Sequence, residues 1–446
     1  MRIPCRKQNG QVLVMMALSA VVLIGSVGLA IDSALGYLVK ARLNAAVDAA
    51  SLAAARAVTL GNNEAEQKAH AREAARQFFN INYPDRFLLS TPQLAPTQVS
   101  FDAGTVTIDV SAQASLPVSL MGVLGFRTLE VAASAQTIRK DLDMVLAMDT
   151  SGSLKPNQDA VRQAGQDFLD KFNPDVDRLG LLHFASNAVQ DIAIRASSRG
   201  FDRTRASSLI GNYVFDGGTN TAEGLWQARD QLNTIGIVNR SSLRVIVLFS
   251  DGSPAAFSAH FFPTGSGNCR SAGAVATPTD KPDYRSSSAL DGLYQAGKSN
   301  QKNGQCNTAG VTEFPDWYNA HDADAREFAV VTGAPRVVSK KADTALKQWT
   351  NVHRASRNLA ESFASKARQE GIYIFTLGMG ASLVKGEGPD LEKGEDLLRC
   401  LANAPDARPA CRKPAEPQGL YCYAATETDL SPCFTRLASA ILRISR

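Results

Sequence analysis

Residues 144–153 read Met144-Val145-Leu146-Ala147-Met148-Asp149-Thr150-Ser151-Gly152-Ser153, five apolar residues followed at once by a carboxylate, hydroxyls and a glycine. A short apolar run bounded by turn residues predicts a strand buried on both faces, the kind that parallel sheets use. Working outward, similar runs recur at Leu179 to Phe184, Val189 to Ile194, Val245 to Phe249, Ile372 to Leu377 and Leu420 to Ala424. Helical patterns fall between them, near 157–172, 219–233, 353–369, 391–403 and 427–443. Strands alternating with helices predict an α/β domain over 141–446, with a doubly wound, mostly parallel six-stranded sheet covered on both faces. From about 253 to 345 the regularity stops, and Gly, Ser, Pro and Asn crowd together with Cys269 and Cys306. That segment reads as a long insertion.

Ligands of open α/β sheets bind outside the carboxyl ends of the strands, so the polar residues just after strands come first. Strand 144–148 runs into Asp149-Thr150-Ser151-Gly152-Ser153, Gly217-Gly218-Thr219-Asn220-Thr221 opens a helix, and strand 245–249 ends in Ser250-Asp251-Gly252. Carboxylates and hydroxyls from neighbouring loops can converge on a hard cation. In these residues the chain resembles the von Willebrand factor A family, whose fold is Rossmann-like. That family's metal-dependent adhesion site is an Asp-x-Ser-x-Ser loop with a distant Thr and a distant Asp. The resemblance implies that Asp149, Ser151, Ser153, Thr219 and Asp251 hold the metal, Mg²⁺ or else Ca²⁺ or Mn²⁺. It extends to Asp177-Arg178-Leu179-Gly180-Leu181-Leu182-His183-Phe184 and to Ile372 to Gly380. Asp-x-Ser-x-Ser alone is a weak motif; its order with the apolar strand, Gly-Gly-Thr and strand-Asp-Gly is the specific feature.

Gln8 to Ile31 carries no charged side chain, and Val12 to Ile31 is almost wholly apolar. That length meets the about 20 residues a helix needs to span a bilayer. Arg2, Arg6 and Lys7 precede it, so the positive-inside tendency places the N-terminus in the cytoplasm and the rest of the chain across the membrane. Gly28-Leu29-Ala30 is a poor small-x-small cleavage site, which makes an uncleaved anchor the stronger reading. Beyond it, Asp32 to Ala57 lacks Pro and is rich in Ala and Leu, with Leu35, Leu38, Ala46, Ala49 and Ala53 near helical spacing, so the helix is expected to continue. Residues 58–140 read as a small α+β spacer, with a helix near 64–80 and a hairpin through Asp102-Ala103-Gly104.

Gly10-Gln11, the apolar span, Asp32, and the Ala-rich stretch from Asn44 to Ala54 follow one another as in the Tad (tight adherence, or Flp) pilus-assembly proteins, which the chain resembles, the TadG type above all. The closing helix through Leu437 to Ile444 also looks like that family. The resemblance implies a single-pass protein of the bacterial inner membrane with a periplasmic A domain. It also implies binding without catalysis, to a protein partner that offers an Asp or Glu carboxylate, such as a pilus-apparatus component. A surface adhesin for host or matrix ligands using the same metal site is the second reading.

The composition sets the remaining bounds. A formal charge of +4 on 446 residues, with Lys and Arg scattered among nearly as many acids, gives no basic stripe for nucleic acid. Gly292-Leu293-Tyr294-Gln295-Ala296-Gly297-Lys298-Ser299 matches the phosphate-loop pattern by letter, yet neither flank has the required strand or helix. His183 sits in an apolar strand and reads as a packed residue, and Asp322 and Asp324 read as a solvated turn. Cys5 lies before the span, and the six later cysteines (Cys269, Cys306, Cys400, Cys411, Cys422, Cys433) are expected to be oxidised, with 15 pairings open.

Overall fold

The computed structural model describes residues 11–58, 64–102, 105–261, 271–283, 285–304, 308 and 311–444. The chain divides into two compact units, Met1–Arg139 and Lys140–Arg446.

In the first unit the Ala-rich segment does continue the apolar one, as a single helix α1 (Gln11–Ala57), followed by α2 (Glu64–Asn82). Strands β1 (Thr91–Leu94), β2 (Gln98–Asp102), β3 (Thr105–Pro117) and β4 (Thr128–Lys140) form a sheet in which β3 pairs with all the others. β2 and β3 pair antiparallel with Asp102 opposite Thr105; Ala103 and Gly104, the turn of the expected hairpin, lie outside the described residues. The outer half of α1 buries Val39, Leu43, Ala46, Val47, Ala50 and Ala54 against Ala75 and Phe79 of α2 and Ile108, Val110 and Ala112 of β3. This corrects the expected stripe, because Leu38 faces outward. Ala46 and Ala53 are buried as expected, and Val39, Leu43 and Val47 complete the contact.

The second unit holds strands β5 (Leu142–Asp149), β6 (Arg178–Phe184), β7 (Ala188–Ile192) and β8 (Leu243–Ser250), with helices α3 (Gln158–Leu169), α4 (Arg203–Gly211) and α5 (Thr221–Asn233) among them. Strands β9 (Ala256–Phe261), β10 (Ser271–Ala276) and β11 (Leu293–Gln295) come next, then helix α6 (Ala345–Gln369) and strand β12 (Ile372–Met379). A two-stranded ribbon of β13 (Gly386–Glu387) and β14 (Glu392–Lys393), helix α7 (Gly394–Leu401), strand β15 (Tyr421–Ala424) and helix α8 (Leu430–Ile444) complete the chain. The central sheet runs β15-β12-β8-β5-β6-β7. It is mixed: the first five strands are parallel, and the edge strand β7 is antiparallel to β6 with a register shift at Leu181/Leu182.

Side-chain alternation along the strands explains the two covered faces. Val145 and Ala147 of β5 point into one core with Leu225, Leu359, Phe363 and Leu397 from α5, α6 and α7. Met144, Leu146 and Met148 point into the other, with Phe168, Ile210 and Phe434 from α3, α4 and α8.

The segment expected to be an irregular insertion has order of its own. β9, β10 and β11 form an antiparallel sheet, and Phe257, Phe261, Phe314, Tyr318 and Phe328 extend the α5 and α6 core. Tyr318 donates to Glu223 on α5 at 2.7 Å, and His321 Nε2 lies 2.7 Å from the same carboxylate while its ring stacks on Trp226. Burial alone would raise the Glu223 carboxyl; hydrogen bonds from His321, Tyr318 and Gln227 outweigh it and hold the carboxyl below its ordinary value. The phosphate-loop lettering folds as a tight hairpin, with Gln295 N–H on Gln301 O and Asn303 N–H on Leu293 O, and a strand-to-helix cradle does not form there.

His183 is a packed residue, its Nδ1 2.8 Å from Asp191 and its ring against Tyr213. Asp322 accepts the Asp324 N–H in an exposed turn.

Disulfides join Cys400 to Cys411 and Cys422 to Cys433, tying α7 to the loop after it and β15 to α8; Cys5, Cys269 and Cys306 lie outside the described residues. Peptide mapping without reductant should yield linked 400/411 and 422/433 peptides. Replacing Cys422 and Cys433 together by Ser should lower unfolding free energy by ~2–4 kcal/mol, read by denaturant titration. Links between these two pairs would contradict the assignment.

Candidate functional site

Three loops at the carboxyl end of the parallel strands build the site. The first leaves β5: the Thr150 N–H and hydroxyl both bond Phe184 O at the end of β6, so the chain must turn across the sheet edge. The second precedes α5 and is stitched to the first, with Gly152 N–H on Gly217 O at 3.0 Å and Asp216 N–H on Thr150 O at 2.9 Å. Gly217 has φ +86°, and a β-carbon there would collide with Asn300 Oδ1, so glycine is required for both conformation and space. The third leaves β8, placed by parallel pairing of Met148 with Phe249.

The side chains converge as follows. Asp149 is fully buried; its Oδ1 accepts the Ser151 N–H at 2.8 Å and its Oδ2 accepts the Ser250 hydroxyl at 2.6 Å. Asp251 Oδ1 accepts the Ser153 hydroxyl at 3.0 Å and that of Ser151 at 3.4 Å, and the two serine oxygens are 3.2 Å apart. Thr219 is buried beside them: a β-carbon on Gly252 would lie 3.6 Å from its hydroxyl oxygen, and its carbonyl accepts the Ala255 N–H. Asn220 caps α5, accepting the Glu223 N–H, and donates to Ser186 O and the Ser258 hydroxyl, which anchors the backbone next to Thr219. The five residues expected from the sequence are therefore gathered at one end of the sheet.

Supporting residues escaped the sequence reading. Ser250 orients Asp149, and Ser382, from the loop after β12, donates to Asp251 O at 2.9 Å. Asn300 accepts from the Ser186 hydroxyl, which itself accepts the Gly218 N–H. Ser250 was detectable as a hydroxyl beside a strand-end carboxylate; Asn300 lies far along the chain in a loop and carried no pattern.

The electrostatics follow from burial. Desolvation raises the Asp149 carboxyl to about 6 against the hydrogen bonds of Ser151 and Ser250. Desolvation first, and then the charge of Asp149, raise Asp251 to about 8. Neither carboxylate forms an ion pair among the described residues. Two buried carboxylates with hydroxyl oxygens and no basic partner are the donor set of a hard divalent cation, so these residues fit one. Among the described residues no three His, Cys, Asp or Glu side chains gather as a metal cluster, so any cation here would rest on two carboxylates plus hydroxyls.

Residues 143–265 match the von Willebrand factor type A domain family, and residues 10–57 match the Flp pilus-assembly TadE/G-like family. No curated protein matches the chain. Among solved structures, the chain is similar to the pilus adhesin SpaC from Lactobacillus rhamnosus GG, at 15% identity and TM-score 0.39, over 82% of this chain and 35% of that one. It is also similar to the vWF domain of the type V pili tip protein Mfa5 from Porphyromonas gingivalis, at 16% and 0.41, over 70% and 98%. A third is the von Willebrand factor type A protein from Catenulispora acidiphila, at 11% and 0.35, over 79% and 50%. The chain thus covers about a third of SpaC.

The folded cation-free site keeps protons that an unfolded chain gives up above the ordinary value of 3.8. The stability contributed by this pair is complete below that pH and is lost as pH rises through about 6 and then about 8. Thermal unfolding in chelator should therefore show wild type losing stability relative to Asp251→Asn across that window. Parallel curves for the two proteins would contradict the raised carboxyls.

Proposed function

We propose that this protein, which joins a TadE/G-like segment to a von Willebrand factor type A domain, is a membrane-anchored component of a tight-adherence pilus apparatus. In this reading it binds a protein partner through a divalent cation and does no catalysis. The observation that carries the reading is the burial of Asp149 and Asp251 together at the ends of two paired strands, with the hydroxyls of Ser151 and Ser153 against Asp251.

Asp149, Ser151, Ser153, Thr219 and Asp251 would hold the cation, with Mg²⁺ the first candidate and Ca²⁺ or Mn²⁺ the others. When bound, such an ion supplies a coordination position to a carboxylate of the partner. Asp149 and Asp251 supply the negative charge that balances it, and Ser250 and the Ser151 N–H fix the Asp149 carboxylate in place. The hydroxyls of Ser151, Ser153 and Thr219 add neutral oxygen without further charge, which leaves the ion short of electron density.

Helix α1 supplies the anchor: it is long and apolar enough to cross a membrane, and its residues Val12 to Ile31 are mostly exposed. With Arg2, Arg6 and Lys7 before the span, the proposed orientation has the N-terminus in the cytoplasm and the A domain in the periplasm. Pilus-apparatus proteins that present an Asp or Glu are the proposed partners.

Adding Mg²⁺ or Mn²⁺ should raise the unfolding temperature of wild type, by the equivalent of about 2.7 kcal/mol at a hundredfold excess over Kd, and leave Asp149→Ala unchanged. In affinity capture from membranes, the partner should be retained in Mg²⁺, released by chelator, and absent with Asp149→Ala. Folded Asp149→Ala that gains the same stabilisation and captures the same partner would overturn the proposal.

A further inference from the structure

We propose that the turn joining β3 to β4, residues 118–127, is a second membrane-contacting element, seating its apolar tip in the lipid beside α1. The inference rests on the reading of α1 as an anchor. From Val110 to Phe126 the sequence has no charged side chain, and Arg127 follows at once. At the tip, Val123 is 54% exposed, Leu124 50% and Phe126 55%, an apolar cluster of a kind that water does not favour.

Contacts with α1 set the depth. Asp32, one residue beyond the apolar span, accepts the backbone N–H groups of Ser119, Leu120 and Met121 at 2.8, 3.1 and 2.8 Å. From there the turn runs back along the helix toward the span. A β-carbon on Gly28 would lie 2.8 Å from Leu120 Cβ, and one on Gly25 would lie 3.2 Å from Leu124 Cδ2, so small residues in α1 admit the turn. Gly25 lies seven positions before Asp32, about 10 Å along a helix rising 1.5 Å per residue. The tip therefore lies alongside residues that the anchor reading places in hydrocarbon.

Irregular backbone is costly in lipid unless its polar groups are satisfied. Here Asp32 takes three N–H groups, Val118 N–H bonds Arg127 O, Val123 N–H bonds Leu120 O, and Gly125 N–H bonds Gly122 O. That pattern suits the boundary between headgroups and acyl chains, where interfacial elements reach ~5–10 Å deep. Arg127 is placed to extend its charge back to the headgroups.

The test uses the full chain in phosphatidylcholine nanodiscs made with or without brominated acyl chains. Phe126→Trp and Leu23→Trp are each compared with wild type, whose three tryptophans all lie in the second unit. The proposal expects the fluorescence added by Phe126→Trp to be blue-shifted and quenched by brominated lipid to an extent comparable with that added by Leu23→Trp. Quenching of Leu23→Trp without quenching of Phe126→Trp overturns the inference and leaves the anchor standing. Absence of quenching in both overturns the anchor and the inference together.

Discussion

Two carboxylates, Asp149 and Asp251, are buried within one cluster of hydroxyls at the end of a parallel sheet, with no basic side chain paired to either among the described residues. Like charges in a poorly solvated place are unfavourable unless protons or a cation compensate them. The sheet fixes this conflict in place. Parallel pairing of β5 with β8 brings the two strand ends side by side, and both strands are buried on both faces, which sets Asp149 and Asp251 close together away from water. The Ser151 N–H, Ser250 and Ser153 satisfy some lone pairs but bring no positive charge. A bound divalent cation would resolve the conflict in a way that the neighbouring side chains do not.

The rest of the second unit makes the site rigid. Asn220 ties the start of α5 to β9 and to the loop after β6, while Tyr318 and His321 grip the first turn of α5 through Glu223. Both sets of contacts reach into the 253–345 segment, as does the Asn300 contact to Ser186. That segment is thus part of the frame that positions Thr219 as well as a decoration on the sheet. Its Ser299 carbonyl accepts the Asn187 N–H beside the same loops, so a partner approaching them would meet residues of the segment.

Much of this was legible in the sequence because the signals were local. The two strands that carry the site, β5 and β8, hold continuous apolar runs, Met144 to Met148 and Val245 to Phe249, and the carboxylates and hydroxyls stand directly after those runs. The antiparallel direction of β7 was not legible, since an edge strand's direction depends on a turn of three residues after Phe184 and not on its own periodicity. The order within 253–345 was missed because β9, Ala256 to Phe261, mixes Ala and Ser with two Phe and a His, and β10, Ser271 to Ala276, is built almost wholly of Ala, Ser and Gly, so neither forms an apolar run. They are held by contacts from far along the chain, with Phe257 and Phe261 of β9 packed edge-on against Phe314. On α1 the expected stripe differs at Leu38 alone, because only the partner surface selects which face of an Ala-rich helix is buried.

If the site holds a divalent cation as proposed, Asp149 and Asp251 exchange protons for it on binding. Titration calorimetry of Mg²⁺ or Mn²⁺, repeated in buffers of different ionisation enthalpy between the raised carboxyl values of about 6 and about 8, measures that exchange directly. One saturable cation site is expected whose binding releases protons, with the release diminished in Asp251→Asn. Cation binding with no proton release in that range, or none that depends on Asp149 and Asp251, would contradict it.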